Sequence, residues 1–200
     1  MLRGVSPDTQ TREPVGLSGG RLADALETLQ HLALENENIE DALEDILSLT
    51  DWMRSFDVTA NAKAIVSPSV ARPVNIIRFK DRFMVKKHNH LSAYDASEGA
   101  LYVLFCAALA LSPNAPKCFA IDNLDQALNP RLVHKLAQLL SQWVVESPDK
   151  RQILFTAHNP AVLDGLQLQN DDVRLFAVDR NNRGHTVINR VVITDELMAL

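Results

Sequence analysis

The chain is short of the residues that would anchor several whole classes of protein. Two cysteines in 200 residues exclude a disulfide scaffold. Both stand inside apolar runs, so Cys106 and Cys118 read as buried free thiols in a reducing compartment. No apolar run is long enough to span a bilayer; the longest, Leu101 to Leu111, falls well short of the roughly 20 residues required. The polar stretch from Met1 to Pro14 has no hydrophobic core and is not a secretion signal. A cytoplasmic protein without a membrane partner is expected. A net charge of −5 removes the global basic field of many nucleic-acid binders. G-x-S-x-G is absent, so no hydrolase serine elbow is recognisable.

What is present is a chain of ordinary globular composition, 46% hydrophobic and 22% charged, long enough for one real core. Residues 1–20 carry Ser-Pro, Glu-Pro and Ser-Gly-Gly without periodicity and read as an extended lead-in. Leu22, Ala25, Leu26, Leu29 and Leu32 recur at helical spacing. After a break at Asn36-Glu37-Asn38, the apolar series Ile39, Leu43, Ile46, Met53 and Phe56 continues as a second helix. Lys63 to Val66, Val74 to Phe79 and Phe83 to Lys87 are short β-rich runs, expected as a small antiparallel patch.

From Ser97 the pattern changes. Ser97 to Leu111 is an apolar helix closed by Pro113-Asn114-Ala115-Pro116. Lys117 to Asp122 and Gln152 to Phe155 are continuous apolar runs, expected as fully buried strands. Between them Asn129-Pro130 opens a helix, with asparagine as cap and proline at the first helical position. Ala161 to Leu166 is a short helix, and Asn181-Asn182-Arg183-Gly184 joins two further strands as a hairpin. Strand–helix–strand order predicts an α/β fold whose parallel sheet is linked by crossover helices. Residues 21–96 form a helical and small-β part, 97–192 the α/β part and 193–200 a tail.

Three places carry candidate chemistry. Asp122 ends a strand, where an acid can hold Mg²⁺ beside phosphates; a turn or capping aspartate is the plainer alternative. His158 follows the next strand, where it can reach a terminal phosphate or be an ordinary satisfied polar group. Ser97-Glu98-Gly99 opens a helix, and free amides at a helix start attract phosphate oxygens, although Ser97 would serve equally as a cap.

Taken together, Ser97-Glu98-Gly99-Ala100, Asp122 to Pro130 and Thr156-Ala157-His158-Asn159-Pro160 resemble the signature, Walker B plus D-loop, and switch histidine of ABC-type AAA ATPases. The branch concerned is SMC-like and includes the overcoming-lysogenization-defect ATPases and anti-phage ATPases such as those of Septu and retron systems. The resemblance covers roughly Pro14 to Val192. It implies a P-loop NTPase fold of the ABC-head type, represented here by its C-terminal portion. It implies ATP and Mg²⁺ as cofactors, with Ser97, Glu98 and Gly99 toward a γ-phosphate held by another protomer and Asp122 supporting the metal. Asp125, Gln126, Ala127, Leu128 and Asn129 would form a D-loop across a homodimer interface, and His158 would sense the γ-phosphate. Leu17-Ser18-Gly19-Gly20 spells the commoner signature, but it stands too far ahead of Asp122 and reads as a turn.

Two departures qualify the resemblance. The position after Asp122, a glutamate in the family, is Asn123, whose amide can orient water but cannot take its proton. Asp125 is the alternative base. In addition, no G-x-x-x-x-G-K-[ST] exists; none of the seven glycines precedes a lysine. The expectation is the C-terminal half of an ATPase, weak or inactive alone, that needs its N-terminal half or a partner subunit. A degenerate regulatory module of a defence or DNA-associated complex is the alternative. The basic stretch Arg72 to His90 leaves DNA as a possible partner. Within it, Lys86, Lys87, His88 and His90 fit either phosphate or metal contact, or simply a wet strand face.

Overall fold

A computed structural model describes residues 13–16, 19–60 and 75–194. The Lys63 to Val66 run, Arg72, Val74 and the Leu17-Ser18 pair lie outside the described residues.

Two helices open the fold. Helix α1 (Leu22–Ala33) buries Leu22, Ala25, Leu26 and Leu29 on one face. Helix α2 (Glu37–Leu49) starts where Asn36 Oδ1 accepts the backbone N–H groups of Asn38 and Ile39, at 3.1 and 3.4 Å. Two amides without helical partners are thereby satisfied.

The second helix stops at Leu49, short of the expectation. Met53 and Phe56 belong to strand β1 (Met53–Thr59), which pairs antiparallel with β2 (Ile76–Asp81). Their three-residue spacing imitates a helix because the register shifts between Met53 and Ser55. A bulge inserts one residue, so both side chains turn to the same buried face. A second correction concerns Phe83 to Lys87. That stretch is an exposed loop, and strand β3 (His90–Ser92) follows it to complete the order β1-β2-β3.

Helix α3 (Glu98–Leu111) is apolar nearly all round and packs against α1, α2 and α4 (Pro130–Val145). Asn129 caps α4 as expected, accepting the Leu132 N–H at 2.9 Å. Val133, Leu136, Ala137, Leu140 and Val144 face the core from it. Strand β4 (Cys118–Ile121) pairs in parallel with β5 (Gln152–Phe155), and α4 is the crossover between them. Short α5 (Ala161–Asp164) lies against α4.

Neither β4 nor β5 is fully buried. Phe119, Ile121, Ile153 and Phe155 pack on the core, whereas Cys118, Ala120, Gln152 and Leu154 form an exposed opposite face. Leu154 is 57% exposed. Cys118 is therefore an exposed thiol, and only Cys106 is buried as expected. Parallel sheets are stable when both faces are covered; among the described residues this one has two strands and one covered face.

Strands β6 (Leu175–Arg180) and β7 (Thr186–Val191) form the expected hairpin. Asn181 Oδ1 accepts the N–H groups of Arg183 and His185, and Gly184 supplies a φ of 79°. Phe176, Val178 and Ile188 remain largely exposed on it.

Candidate functional site

The three sequence motifs meet at the C-terminal ends of β4 and β5. Leaving β4, the chain turns sharply at Asn123, whose φ of 53° is left-handed. Asparagine tolerates that conformation better than most residues because its short amide bonds locally. The turn is tied to the end of β5 at three points. Thr156 Oγ1 donates to Asp122 Oδ1 at 2.5 Å and accepts the Asn123 N–H at 2.9 Å. The Leu124 N–H reaches the Thr156 carbonyl at 2.8 Å. Thr156 is therefore a site residue that the motif reading left without a role. Its signal was present in the sequence: a hydroxyl at the end of the strand beside the acidic one.

Asp125 makes the next link. Its Oδ2 accepts the backbone N–H groups of His158 and Asn159, at 3.2 and 2.9 Å. Its Oδ1 is buried with no protein partner. A carboxylate held in this way suits a bracket between two turns better than a proton acceptor for exposed water. Asn159 Oδ1 then accepts the Ala161 N–H at 3.0 Å, which starts α5. The His158 side chain stands exposed beside the bracket.

The third motif lies against the second. Ser97 is a true cap: its Oγ accepts the Ala100 N–H at 3.2 Å. Ser97 and Glu98 are exposed, and Gly99 is buried. A β-carbon on Gly99 would come within 3.1 Å of the Ala127 carbonyl and 3.2 Å of the Leu128 side chain. The start of α3 is thus seated directly on the 125–129 turn, and the absent side chain at Gly99 permits the approach. Ala127 itself has a φ of 60°. Farther along α3, the Tyr102 hydroxyl donates to the Asn123 carbonyl at 3.4 Å. Burial, the neighbouring Cys106 and the negative charges of Asp125 and Asp122 push the Tyr102 phenol up, so it stays a neutral donor. Burial also pushes the Cys106 thiol up, to about 12.

The donor set fits Mg²⁺ in a limited way. Asp122 is exposed, with one oxygen engaged by Thr156. No group of three His, Cys, Asp or Glu residues able to hold a metal occurs among the described residues. One carboxylate with a neighbouring hydroxyl suits Mg²⁺, which keeps several waters and takes its remaining oxygens from phosphate. Phosphate, however, finds little to hold it. Between Ser97 and Pro130 the one cation is Lys117, at the opposite end of β4, while Glu98, Asp122 and Asp125 are acidic. Mg²⁺ would offset part of that negative charge, and the phosphates would still need cations from elsewhere.

Of the comparisons with known proteins, one family model bears on the motif reading, at the level of an AAA domain. A solved structure from work on "ATP-driven dimerization and DNA stimulated activation of SMC ATPases" is similar over 76% of this chain and 84% of its own, with 13% identity and a TM-score of 0.48. No curated protein matches. The family model described as "AAA domain, putative AbiEii toxin, Type IV TA system" matches residues 33–164. That span holds all three turns of the site, and the chain belongs to this AAA-domain family.

Proposed function

We propose that this chain supplies one side of a composite ATP site: the signature helix start, the Walker B acid, the D-loop and the switch histidine. The observation that carries the reading is the joining of three turns on one surface. Gly99 rests on 127–128, Thr156 holds Asp122 and Asn123, and Asp125 holds His158 and Asn159. Membership of an AAA-domain family supports nucleotide hydrolysis as the general activity.

In this reading Asp122 would help hold Mg²⁺, and Thr156 fixes the carboxylate that would do so. Mg²⁺, when bound, neutralises charge on the β- and γ-phosphates. Ser97 and the amides at the start of α3 face the γ-phosphate of a nucleotide held chiefly by another polypeptide segment. His158 donates toward the same phosphate. Asn123 orients the attacking water without accepting its proton, so turnover at this half-site is slow. The open face of the two-stranded parallel sheet supports a partner segment that packs over it and brings the phosphate loop.

Titration calorimetry of the 200-residue chain with Mg-ATP tests the composite site. Weak binding, with Kd in the millimolar range or above, is expected; micromolar binding by this chain alone overturns it. The left-handed Asn123 supports a second reading, a regulatory docking module without hydrolysis, because that backbone accommodates asparagine better than glutamate. The readings separate in a complete assembly: Asn123→Glu raises turnover if the site is catalytic and leaves it at background if it is not.

A further inference from the structure

The loop between β2 and β3 has a composition and a geometry that the ATP site does not use. Phe83, Met84 and Val85 stand at its tip, 75%, 42% and 69% exposed. Arg82 precedes them, and Lys86 and Lys87 follow. From Arg82 to His90 no residue is acidic. The loop is also firmly built. Asp81 Oδ1 accepts the N–H groups of Phe83 and Met84, at 2.7 and 2.8 Å. The Arg82 N–H donates to the Trp52 carbonyl at 2.8 Å, and the Asp81 N–H donates to that of Asn89 at the same distance. His88 N–H closes the tip onto the Val85 carbonyl, again at 2.8 Å. The three apolar side chains therefore point outward from an ordered base, and exposing them costs free energy that packing inside would recover.

An apolar tip with an aromatic ring, flanked on both sides by cations, matches a ligand that alternates negative charge with flat apolar surface. We propose that this loop contacts a nucleic-acid strand, with Phe83 stacking on a base while Arg82, Lys86 and Lys87 meet phosphates. The charge of neighbouring elements selects this ligand over a lipid surface. From Glu35 to Asp51 every charged residue is acidic, and Trp52, the anchor of Arg82, directly follows that stretch. Burial first, then the nearby charges of Asp41 and Glu44, raises the pKa of Asp45 within that stretch, while Lys135 acts against them. An anionic bilayer broad enough to reach past Trp52 would also approach the end of that acidic stretch at Asp51. A strand is narrow enough to meet the loop alone.

The test uses the full chain and fluorescence anisotropy with a labelled mixed-sequence single strand of about 16 nucleotides. Three phosphate contacts on a single strand predict that raising salt from 50 to 200 mM weakens binding on the order of 20-fold. Phe83→Ala is expected to weaken binding about tenfold with an unchanged salt slope. Lys86→Gln with Lys87→Gln flattens the slope by about two thirds. Circular dichroism melts of these surface variants should match the parent, which separates lost contact from lost fold. No binding, binding indifferent to both variants, or binding only to anionic phosphatidylserine vesicles overturns the proposal. None of these outcomes depends on nucleotide hydrolysis, so the ATP-site reading stands or falls separately.

Discussion

Asp125 and Asn159 are joined by a single carboxylate oxygen, which takes the Asn159 N–H at 2.9 Å and the adjacent His158 N–H at 3.2 Å. The turn after one strand thus fixes the backbone of the turn after the other. A contact made by residues 126–128 with a second protomer would reach His158 through one side chain.

Asp125→Ala should therefore loosen the His158 turn while leaving the rest of the fold in place. Two amides lose a charged acceptor, a loss of about 2 kcal/mol. Asp125→Asn keeps a carbonyl oxygen and should lose about 1 kcal/mol. Urea unfolding measures the first quantity, and hydrogen exchange at the His158 and Asn159 amides locates it. Unchanged exchange at those two amides would remove the bracket from the account.

Gly165 offers a test of packing alone. Its φ of −83° is open to any residue, so conformation does not demand glycine there. Space does: a β-carbon would lie 2.1 Å from the His134 carbonyl oxygen on α4. Backbone cannot step aside as a flexible side chain can, and Gly165→Ala should destabilise by about 3 kcal/mol, the upper end for overpacking. A melting temperature equal to the parent's would mean that α5 moves off α4 freely.

Legibility in the sequence followed how locally each feature is determined. Asn129-Pro130 and Asn181 to Gly184 were readable because their own side chains and φ preferences make the cap and the turn. Met53 and Phe56 misled because a bulge, set by pairing with Asp81 and Lys80, changes the period of the strand. The apolar strands β4 and β5 read as buried on both faces, and the structure covers one; nothing within four residues reveals what lies against each face. At the site, the motifs pointed to Asp122, Ser97 and His158. The linking roles of Thr156, Asp125 and Tyr102 come from contacts between segments far apart in the chain. Such contacts leave no spacing to read.

Ala127 carries a β-carbon in the left-handed region, with a φ of 60°. That conformation costs an L-residue about 1 kcal/mol or more, so Ala127→Gly should stabilise the chain by about 1 kcal/mol. Asn123→Glu works in the opposite direction, losing about 1 kcal/mol at a φ of 53°. Denaturant melts of the two single variants check both signs. A stabilising Asn123→Glu would show that the turn is free to leave the left-handed region.

The two thiols should behave as different chemical groups. Cys118 is exposed on the open face of the sheet, and Cys106 is buried beside Tyr102 with its pKa pushed up to about 12. At pH 8 iodoacetamide should modify Cys118 alone, and Cys106 only after denaturation, since the thiolate is the reactive form. Peptide mass spectrometry distinguishes them. The same burial sets a direction for stability at alkaline pH. The unfolded thiol loses its proton near the ordinary cysteine value of 9.0, while the folded one keeps it to about 12. Stability is therefore whole below pH 9 and falls as the pH rises toward 12, by up to about 1.4 kcal/mol per pH unit from this group. The raised phenol of Tyr102 acts in the same sense above the ordinary tyrosine value of 10.0. Urea midpoints in Cys106→Ser, which lowers neutral stability but removes this titration, should fall less steeply from pH 9 to 11 than in the parent. Equal slopes would place the alkaline sensitivity elsewhere.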